Sequence, residues 1–493
     1  MIKSLMFVLT ILMFKISFAF SNDSVTNPLI VTTSVGRFDA PLLLVSPETT
    51  SEKMLEYVKK LREFKINGVI LYEVAPNYGV LIDNREIWLH PRNKTLKATI
   101  PVDKDIYISK TKIKELVSLL HKNNIEAYYY DEMGANDEKG FNEKFAIYPP
   151  IVYPNNADYY SVPYFKKESD LNKFKGPITL YGEYGPAGNP YTMKLYYAKQ
   201  IERLIKELNI DGIFLDSIGW KCELASFGRL YNGSSLNLTP DDICYDFIKS
   251  IQDTAKSLGK DNFKVFINMG FYKDKNLAYP KTLKIENVIW TIEIPNYHGW
   301  QNNKLYPKTY KELFNKLSKE KGSLIIYQPF FDTKNPYIYQ ILISIAVSNG
   351  LYMYHRGDYL GTAWALPLVP VVKEYDNFIL RVKDFLYSER IFNESIKVSI
   401  NPDLIYNYYI SKGFLVINII NINPRFFLTD NIIKLDKDKV SVVIEGLVKK
   451  NNKISILTPN KNEKIIISKN DYKKLILEIY NLDTWTTILI PYK

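Results

Sequence analysis

The stretch that decides the fold of this chain is residues 209–220, which have the sequence Asn209-Ile210-Asp211-Gly212-Ile213-Phe214-Leu215-Asp216-Ser217-Ile218-Gly219-Trp220. It predicts the end of a helix, a short buried strand, and a carboxylate, Asp216, where the strand stops. In a barrel of alternating strands and helices, the carboxyl ends of the strands carry the reactive side chains. An isolated Asp would more often cap the next helix or pair with a lysine. A second carboxylate, Glu293, ends another predicted strand downstream, and the two together favour a functional pair.

Strand-like runs alternate with helix-like segments over most of the chain. The predicted strands are residues 41–45, 68–73, 125–130, 212–216, 263–268, 287–293, 323–329 and 351–355. The predicted helices are residues 51–64, 111–123, 191–208, 240–258, 310–321, 337–348 and 371–387. Eight strands separated by helices over about 350 residues are typical of an α/β fold of the (β/α)8 TIM barrel type.

The pattern changes after about Ser395, where short strand-like runs separated by turns dominate. This texture predicts a C-terminal antiparallel β-sandwich. The predicted division of the chain is therefore a signal peptide at residues 1–21, a catalytic barrel at 22–394 and a β-sandwich domain at 395–493. Residues 134–177 are rich in Pro and Tyr, and we expect them to form an ordered insertion over one mouth of the barrel.

The N-terminus has the pattern of an export signal. Lys3 supplies the positive charge, residues 5–14 are apolar, and Ser17-Phe18-Ala19 resembles a cleavage site. We therefore expect a secreted or cell-surface protein, with an uncleaved anchor as the alternative. No later run is long and apolar enough to predict a membrane-spanning helix.

Composition narrows the class of partner. Of the 493 residues 46% are hydrophobic, which indicates a globular protein, and the net charge is +11. The lysines and arginines are scattered along the chain, so nucleic-acid binding is not expected. Tyr is abundant, with 38 residues beside 6 Trp, which suits stacking on sugar faces, although codon bias explains the same abundance. Nothing in the sequence indicates an oligomeric state.

Two cysteines, Cys222 and Cys244, follow the Asp216 strand. In an exported protein a pair of cysteines suggests one disulfide that closes a local loop, and the alternative is two buried thiols. There is no metal-ligand spacing of Cys and His, so no metal site is expected.

The two carboxylates suit the cleavage of a glycosidic bond. That reaction needs one ionised carboxylate and one carboxylic acid that protonates the leaving oxygen. We assign Asp216 as the nucleophile and Glu293 as the acid/base, because apolar neighbours of Glu293 such as Trp290 and Ile292 would raise its pKa. The opposite assignment stays open. Carboxylates and water suffice for this chemistry, so no cofactor is expected.

Other polar and aromatic residues at or just after the predicted strand ends are candidate substrate contacts. They are Tyr72, Glu73, Asp131, Glu132, Trp220, Asn268, Tyr272, His298, Trp300, Gln328, His355, Arg356 and Asp358. Any one of them could instead be structural, and their collection at one rim is the stronger observation. Trp220 and Trp300 are the preferred stacking platforms, with rim packing as the alternative.

These residues carry a family resemblance. Asp211-Gly212 with Asp216-Ser217-Ile218-Gly219 resembles the nucleophile motif of glycoside hydrolase family 66, the dextranases and cycloisomaltooligosaccharide glucanotransferases. The order of elements is also similar, with an Asn-containing strand, Phe266-Ile267-Asn268, between the Asp strand and the Glu strand. The resemblance covers roughly residues 41–395.

The resemblance implies a barrel with a C-terminal β-sandwich, retaining cleavage of an α-glucan, and Asp216 and Glu293 as nucleophile and acid/base. Transglycosylation could accompany hydrolysis. Two alternatives stay open. One is a barrel glycosidase of another family, since a similar motif occurs in α-galactosidase-like and polygalactosaminidase-like enzymes, acting on a cell-surface or biofilm polysaccharide. The other is a non-catalytic carbohydrate-binding surface protein.

Overall fold

The structure, a computed structural model, describes residues 28–33, 45–76, 81–82, 84–90, 105–132, 151–152, 159–160, 193–216, 218–219, 222, 238–268, 279–293, 311–312, 314–315, 318, 324–326, 336–355, 369–401, 404–421, 439–446, 454–459, 464–470, 474–480 and 482–492. The helices in these ranges are α1 (Ser51–Glu63), α2 (Lys110–Lys122), α3 (Met193–Leu208), α4 (Pro240–Ser257), α5 (Pro336–Ser348) and α6 (Val369–Leu386). The strands are β1 (Ile30–Thr33), β2 (Gly68–Leu71), β3 (Ile87–Leu89), β4 (Tyr107–Ser109), β5 (Glu126–Glu132), β6 (Ile151–Val152), β7 (Tyr159–Tyr160), β8 (Gly212–Asp216), β9 (Lys264–Asn268), β10 (Val288–Glu293), β11 (Leu324–Ile326), β12 (Tyr352–His355), β13 (Lys397–Asn401), β14 (Ile405–Ser411), β15 (Phe414–Ile420), β16 (Val440–Glu445), β17 (Ser455–Leu457), β18 (Lys464–Asn470), β19 (Lys474–Tyr480) and β20 (Trp485–Pro491).

Eight of these strands form a closed barrel. Around the barrel they follow the chain order β1, β2, β5, β8, β9, β10, β11 and β12, and β12 pairs back with β1. Every neighbouring pair is parallel. The predicted parallel barrel is therefore present, and all its strands end at the same mouth.

The first barrel strand differs from the prediction. The sequence predicts the first strand in the apolar run at 41–45, but β1 lies earlier, at Ile30–Thr33, and residues 41–44 fall outside the described ranges. The side chain of Asn67 accepts a hydrogen bond from the Ile30 amide and donates one to the carbonyl of Pro28, both at 2.8 Å. These two hydrogen bonds fix β1 beside β2. The hydrophobic pattern of so short a strand does not predict this position.

The helices follow from apolar spacing and capping. In α1 the buried residues Met54, Tyr57, Val58 and Leu61 recur at helical spacing, and Thr50 caps its first turn. In α4 Thr239 and Asp242 form a reciprocal capping box. None of the described helices is long and apolar enough to cross a membrane.

The two faces of each barrel strand enter separate hydrophobic clusters. On β8, Ile213 and Leu215 pack outward against the helices, whereas Phe214 packs inside the barrel. This alternation follows from the two-residue period of a strand. The barrel interior is filled by an aromatic floor consisting of Tyr128, Tyr130, Phe214 and Phe266, whose rings contact one another in sequence.

Two glycines make room for the floor. A Cβ atom on Gly68 would lie 2.6 Å from the ring of Tyr128, and one on Gly212 would lie 3.0 Å from that ring and 2.3 Å from the carbonyl oxygen of Lys264. Such distances are far inside van der Waals contact. Gly212 is thus required by the close approach of β5, β8 and β9 at the amino-terminal end of the barrel.

Asp211 joins three elements at that same end. Its carboxylate accepts hydrogen bonds from the His121 ring at 2.7 Å, from the Ala127 amide at 2.9 Å and from the Lys260 ammonium at 3.1 Å. Burial raises the pKa of Asp211, but these hydrogen bonds, the strongest from His121, outweigh it and lower the pKa below its ordinary value. The first carboxylate of the sequence motif is therefore structural and lies at the opposite end of β8 from Asp216.

The C-terminal region is built from two four-stranded antiparallel sheets. One has the order β13, β16, β19, β18 and the other β14, β15, β20, β17. Side chains of both sheets share one hydrophobic cluster. The second sheet also packs on the barrel, since Trp485 contacts the ring of Phe378 on α6 at 4.8 Å. The predicted antiparallel strands therefore pack against the barrel helices.

Replacing Gly212 by Ala should destabilise the protein by about 3 kcal/mol or more, because the added methyl meets a backbone carbonyl that cannot move aside. The measurement is the free energy of unfolding from urea denaturation. Gly259→Ala is the control for adding a methyl group in open space: nothing lies within 4 Å of its added Cβ, and its cost is limited to about 1–2 kcal/mol of backbone strain at its φ of 77°. A Gly212→Ala protein no less stable than Gly259→Ala would contradict the packing role.

Replacing Asp211 by Asn should lower stability by about 1–2 kcal/mol at neutral pH, because hydrogen bonds to a charged acceptor are lost. A carboxyl whose pKa is lowered on folding contributes fully above its unfolded value, 3.8, and loses that contribution as pH falls further. The difference in melting temperature between wild type and variant should therefore shrink between about pH 5 and about pH 3. Asp253→Asn, which breaks an exposed pair with Lys249, should show little difference at any pH.

Candidate active site

The strand period carries polar residues onto the layer above the aromatic floor. Phe214, Phe266 and Ile289 lie inside the barrel, so the next interior positions on β8, β9 and β10 are Asp216, Asn268 and Thr291. Asn268 pairs with Thr291 in the barrel register, and Asp216 pairs with Glu132 of β5. The interior thus changes from aromatic to polar at the mouth.

Asp216 is held by hydrogen bonds to both of its oxygens. The hydroxyl of Tyr130, on β5, donates to Oδ2, and the side-chain amide of Asn268, on β9, donates to Oδ1 at 2.7 Å. Asp216 is half-buried, whereas Tyr130 and Asn268 are buried. Two neutral donors stabilise the ionised carboxylate and fix its plane.

Glu293 is the last residue of β10. By the same alternation it belongs to the interior face, one interior position beyond Thr291. The strand pairing places it two strands from Asp216 and closer to the mouth. Strand spacing and rise set the two Cα atoms roughly 10–12 Å apart. The structure describes the backbone of Glu293 but not the position of its carboxyl group.

Three further predicted contacts lie near this layer. The ring of Tyr72 lies 4.2 Å from the ring of Tyr130. Glu132, at the end of β5, is the register partner of Asp216. Glu73 is buried, adopts a left-handed backbone with φ of 53°, and lies 3.9 Å from the buried ring of His90. A non-glycine residue in this conformation at a strand end marks local strain of the kind found at functional sites.

Two predicted substrate contacts are placed away from the mouth by strand alternation. Asp131 is on the outer face of β5 and accepts a hydrogen bond from the Tyr197 hydroxyl of α3 at 2.8 Å. His355 is on the outer face of β12, where its Nε2 lies 3.0 Å from Asp376 of α6. Burial raises the pKa of Asp376, and His355 partly offsets this. Both residues join strands to helices, and the structure does not bring either beside Asp216.

The remaining predicted contacts lie outside the described residues. They are Trp220, Tyr272, His298, Trp300, Gln328, Arg356 and Asp358. Sequence reasoning missed Tyr130, which the strand prediction included without a role. The available signal was its position two residues from Tyr128 and two before Glu132, on one face of the strand.

The predicted disulfide is present. Cys222, just after the Asp216 strand, is bonded to Cys244 in α4, and both are buried. The bond closes a loop of 22 residues. Nearby, the hydroxyl of Tyr279 donates to the carbonyl of Gly219 at 3.1 Å. The segment that follows Asp216 is thus tied to a helix and to a buried side chain.

No protein-family model matches the chain, and no curated protein matches it in sequence. Among solved structures, the chain is similar to a cycloisomaltooligosaccharide glucanotransferase from Paenibacillus sp., complexed with cycloisomaltoheptaose, with a TM-score of 0.58, 10% identity, and coverage of 95% of this chain and 85% of that one. An α-amylase from Geobacillus thermoleovorans complexed with acarbose gives a TM-score of 0.49 at 12% identity, covering 95% of this chain and 99% of the amylase. The first similarity shows a shared fold, as the family resemblance implies, and the second is too weak to establish one.

Replacing both cysteines by Ala should lower the free energy of unfolding by about 3 kcal/mol, the chain-entropy value for a loop of this length. Urea denaturation of the oxidised wild type and the double variant measures the difference. Wild type treated with a reductant is the control and should unfold like the variant. Equal stability of oxidised wild type and the variant would show that the bond does not restrain the unfolded chain.

Proposed function

We propose that this protein is an exported retaining glycoside hydrolase that cleaves an α-linked polysaccharide, with a dextran-like α-glucan as the first candidate. Asp216 is the nucleophile and Glu293 the acid/base. In this proposal residues 22–394 form a (β/α)8 catalytic barrel and residues 395–493 form a C-terminal β-sandwich. The observation that carries it is Asp216, held at the mouth of the barrel by two neutral donors above an aromatic floor.

The first chemical step forms a covalent intermediate. An oxygen of Asp216 attacks the anomeric carbon, the bond from that carbon to the glycosidic oxygen breaks, and Glu293 gives its proton to the departing oxygen. In the second step water attacks the anomeric carbon, its proton passes to Glu293, and the bond to Asp216 breaks. Both residues return to their starting states, and a sugar hydroxyl in place of water gives transglycosylation.

The backbone positions allow a retaining pair. Retaining enzymes hold their carboxyl groups about 5–5.5 Å apart, closer than inverting enzymes do. Side chains that extend toward the barrel axis from Cα atoms roughly 10–12 Å apart can reach that separation. The hydrogen bonds to Asp216 also suit a nucleophile, which must stay ionised.

The substrate class and the location rest on separate supports. The α-glucan assignment rests on the resemblance at residues 211–219 and on the fold shared with the glucanotransferase, a structure that contains cycloisomaltoheptaose. Export rests on the N-terminal signal pattern, and the Cys222–Cys244 disulfide supports it because such bonds persist in oxidising compartments.

Asp216→Asn should lower turnover by roughly 10³-fold or more with the fold unchanged, because the substituted amide cannot form the glycosyl ester. Reducing-end release from dextran, starch, pullulan and a galactosaminogalactan measures it. Asp211→Asn, just before the same strand and at its other end, is the matched control and should keep its activity at neutral pH.

The results of this experiment distinguish the proposed function from its alternatives. Loss of dextran cleavage in Asp216→Asn alone supports the nucleophile and the substrate together. If the wild type cleaves another polymer and Asp216→Asn does not, the mechanism stands and the substrate is that of a different glycosidase family. An active Asp216→Asn enzyme would contradict the assignment. Retention on a polymer without any release would indicate a carbohydrate-binding protein.

Glu293→Gln should lose most polysaccharide cleavage yet still react with the matching α-glycosyl fluoride, whose leaving group needs no proton. Added azide should restore turnover by replacing water in the second step and give an α-glycosyl azide, identified by NMR. Swapped roles would instead give this product with the Asp216 variant. A Glu293→Gln enzyme as active as wild type on the polysaccharide would exclude Glu293 as the acid.

A further inference from the structure

The strands on either side of β8 each contribute one side chain to Asp216. Tyr130 of β5 donates to one carboxylate oxygen, and Asn268 of β9 donates to the other at 2.7 Å. An ionised carboxylate only accepts hydrogen bonds, so the phenol hydrogen and the amide hydrogen both point at Asp216. This arrangement engages both oxygens before any substrate binds.

The hydroxyl of Tyr130 is fixed by the packing of its ring. The residue is 2% exposed. Its ring lies 4.2 Å from Tyr72 and 5.6 Å from Phe214, which stacks on it at 19°. The side chain therefore has little freedom to follow the carboxylate if the latter moves. A hydrogen bond in such an apolar setting is stronger than one in water.

We propose that Tyr130 is a positioning residue for Asp216 that chiefly promotes the second chemical step, the release of the glycosyl ester, with Asn268 as its weaker partner. The inference rests on the proposed function. Negative charge leaves the carboxylate when the ester forms and returns when the ester breaks. Donors fixed on the carboxylate stabilise it as a leaving group more than they stabilise the uncharged ester.

The phenol keeps its proton throughout. In the first step the Asp216 oxygen forms the bond to the anomeric carbon and the hydrogen bond from Tyr130 weakens. In the second step that bond breaks, the electron pair returns to the carboxylate and the hydrogen bond strengthens. The role requires no charge on Tyr130 and no proton transfer from it.

The test is Tyr130→Phe, which keeps the ring and removes only the hydroxyl. The probe is the α-fluoride of the sugar that the polysaccharide panel identifies, α-glucosyl fluoride for dextran. Because fluoride leaves easily, the two steps can be measured separately: fluoride release before steady state reports the first step, and steady-state turnover reports the second. We expect the second step to slow by about 10- to 100-fold, the loss of a hydrogen bond to a charged group, and the first step to change much less because this hydrogen bond weakens as the ester forms.

A slowed second step has its own signature. Tyr130→Phe should show a burst of fluoride release and a glycosylated Asp216 peptide detected by mass spectrometry after acid quenching. Tyr129→Phe is the matched control: this neighbouring tyrosine is also buried, but its hydroxyl donates to the carbonyl of Leu81 at 2.7 Å on the outer face of the strand. It should keep the wild-type ratio of the two steps.

Three results would overturn the role. One is a Tyr130→Phe enzyme with the wild-type ratio of the two rates, and another is an equal change in Tyr129→Phe. Asn268→Ala guards against a folding defect, since it should shift the ratio in the same direction. The third result is a wild-type protein that neither releases fluoride nor forms a glycosylated Asp216. That result would contradict the proposed function itself, whereas the first two would contradict only the role of Tyr130.

Discussion

The packing of Tyr128 against two glycines is the constraint on which the rest of the barrel depends. Its ring occupies the space that side chains at Gly68 and Gly212 would need. The strands β2, β5 and β8 can therefore approach in only one register at this level. Because strand side chains alternate strictly, a shift of one residue would turn every interior side chain outward. The position of Asp216 at the mouth follows from this contact at the opposite end of the barrel.

The aromatic floor links that constraint to the chemistry. Tyr128 and Tyr130 occupy successive interior positions of β5, so the residue that fits the glycines and the residue that reaches Asp216 share one strand face. Large aromatic side chains exclude water from the layer below the carboxylate. A carboxylate above such a layer needs hydrogen bonds to remain ionised, and Tyr130 and Asn268 supply them.

The sequence predicts where strands end better than which side chains face the mouth. Seven of the eight predicted barrel strands overlap strands of the structure, because each is a compact apolar run between helices. Proximity to a strand end identifies candidate contacts without regard to the face of the strand on which each side chain lies. Asp131 and His355 occupy outward positions and bond to helices. The hydrogen bond from Tyr130 to Asp216 could not be predicted from the sequence, because it depends on the pairing between β5 and β8. A local sequence pattern does not contain that pairing.

The C-terminal sheets pack against the outside of the barrel and so support its wall. The last barrel strand, β12, is held from outside by α6 through the hydrogen bond between His355 and Asp376, and the second sheet packs on both α5 and α6. Asn407 of β14 donates to the carbonyl of Ser348 at 3.0 Å, where α5 ends, and Trp485 packs against Phe378 of α6. Because β12 closes the barrel by pairing with β1, anything that loosens these helices also loosens the closure. The contact between sheets and helices thus bears on the geometry of the mouth, although it lies on the outer side of the barrel wall.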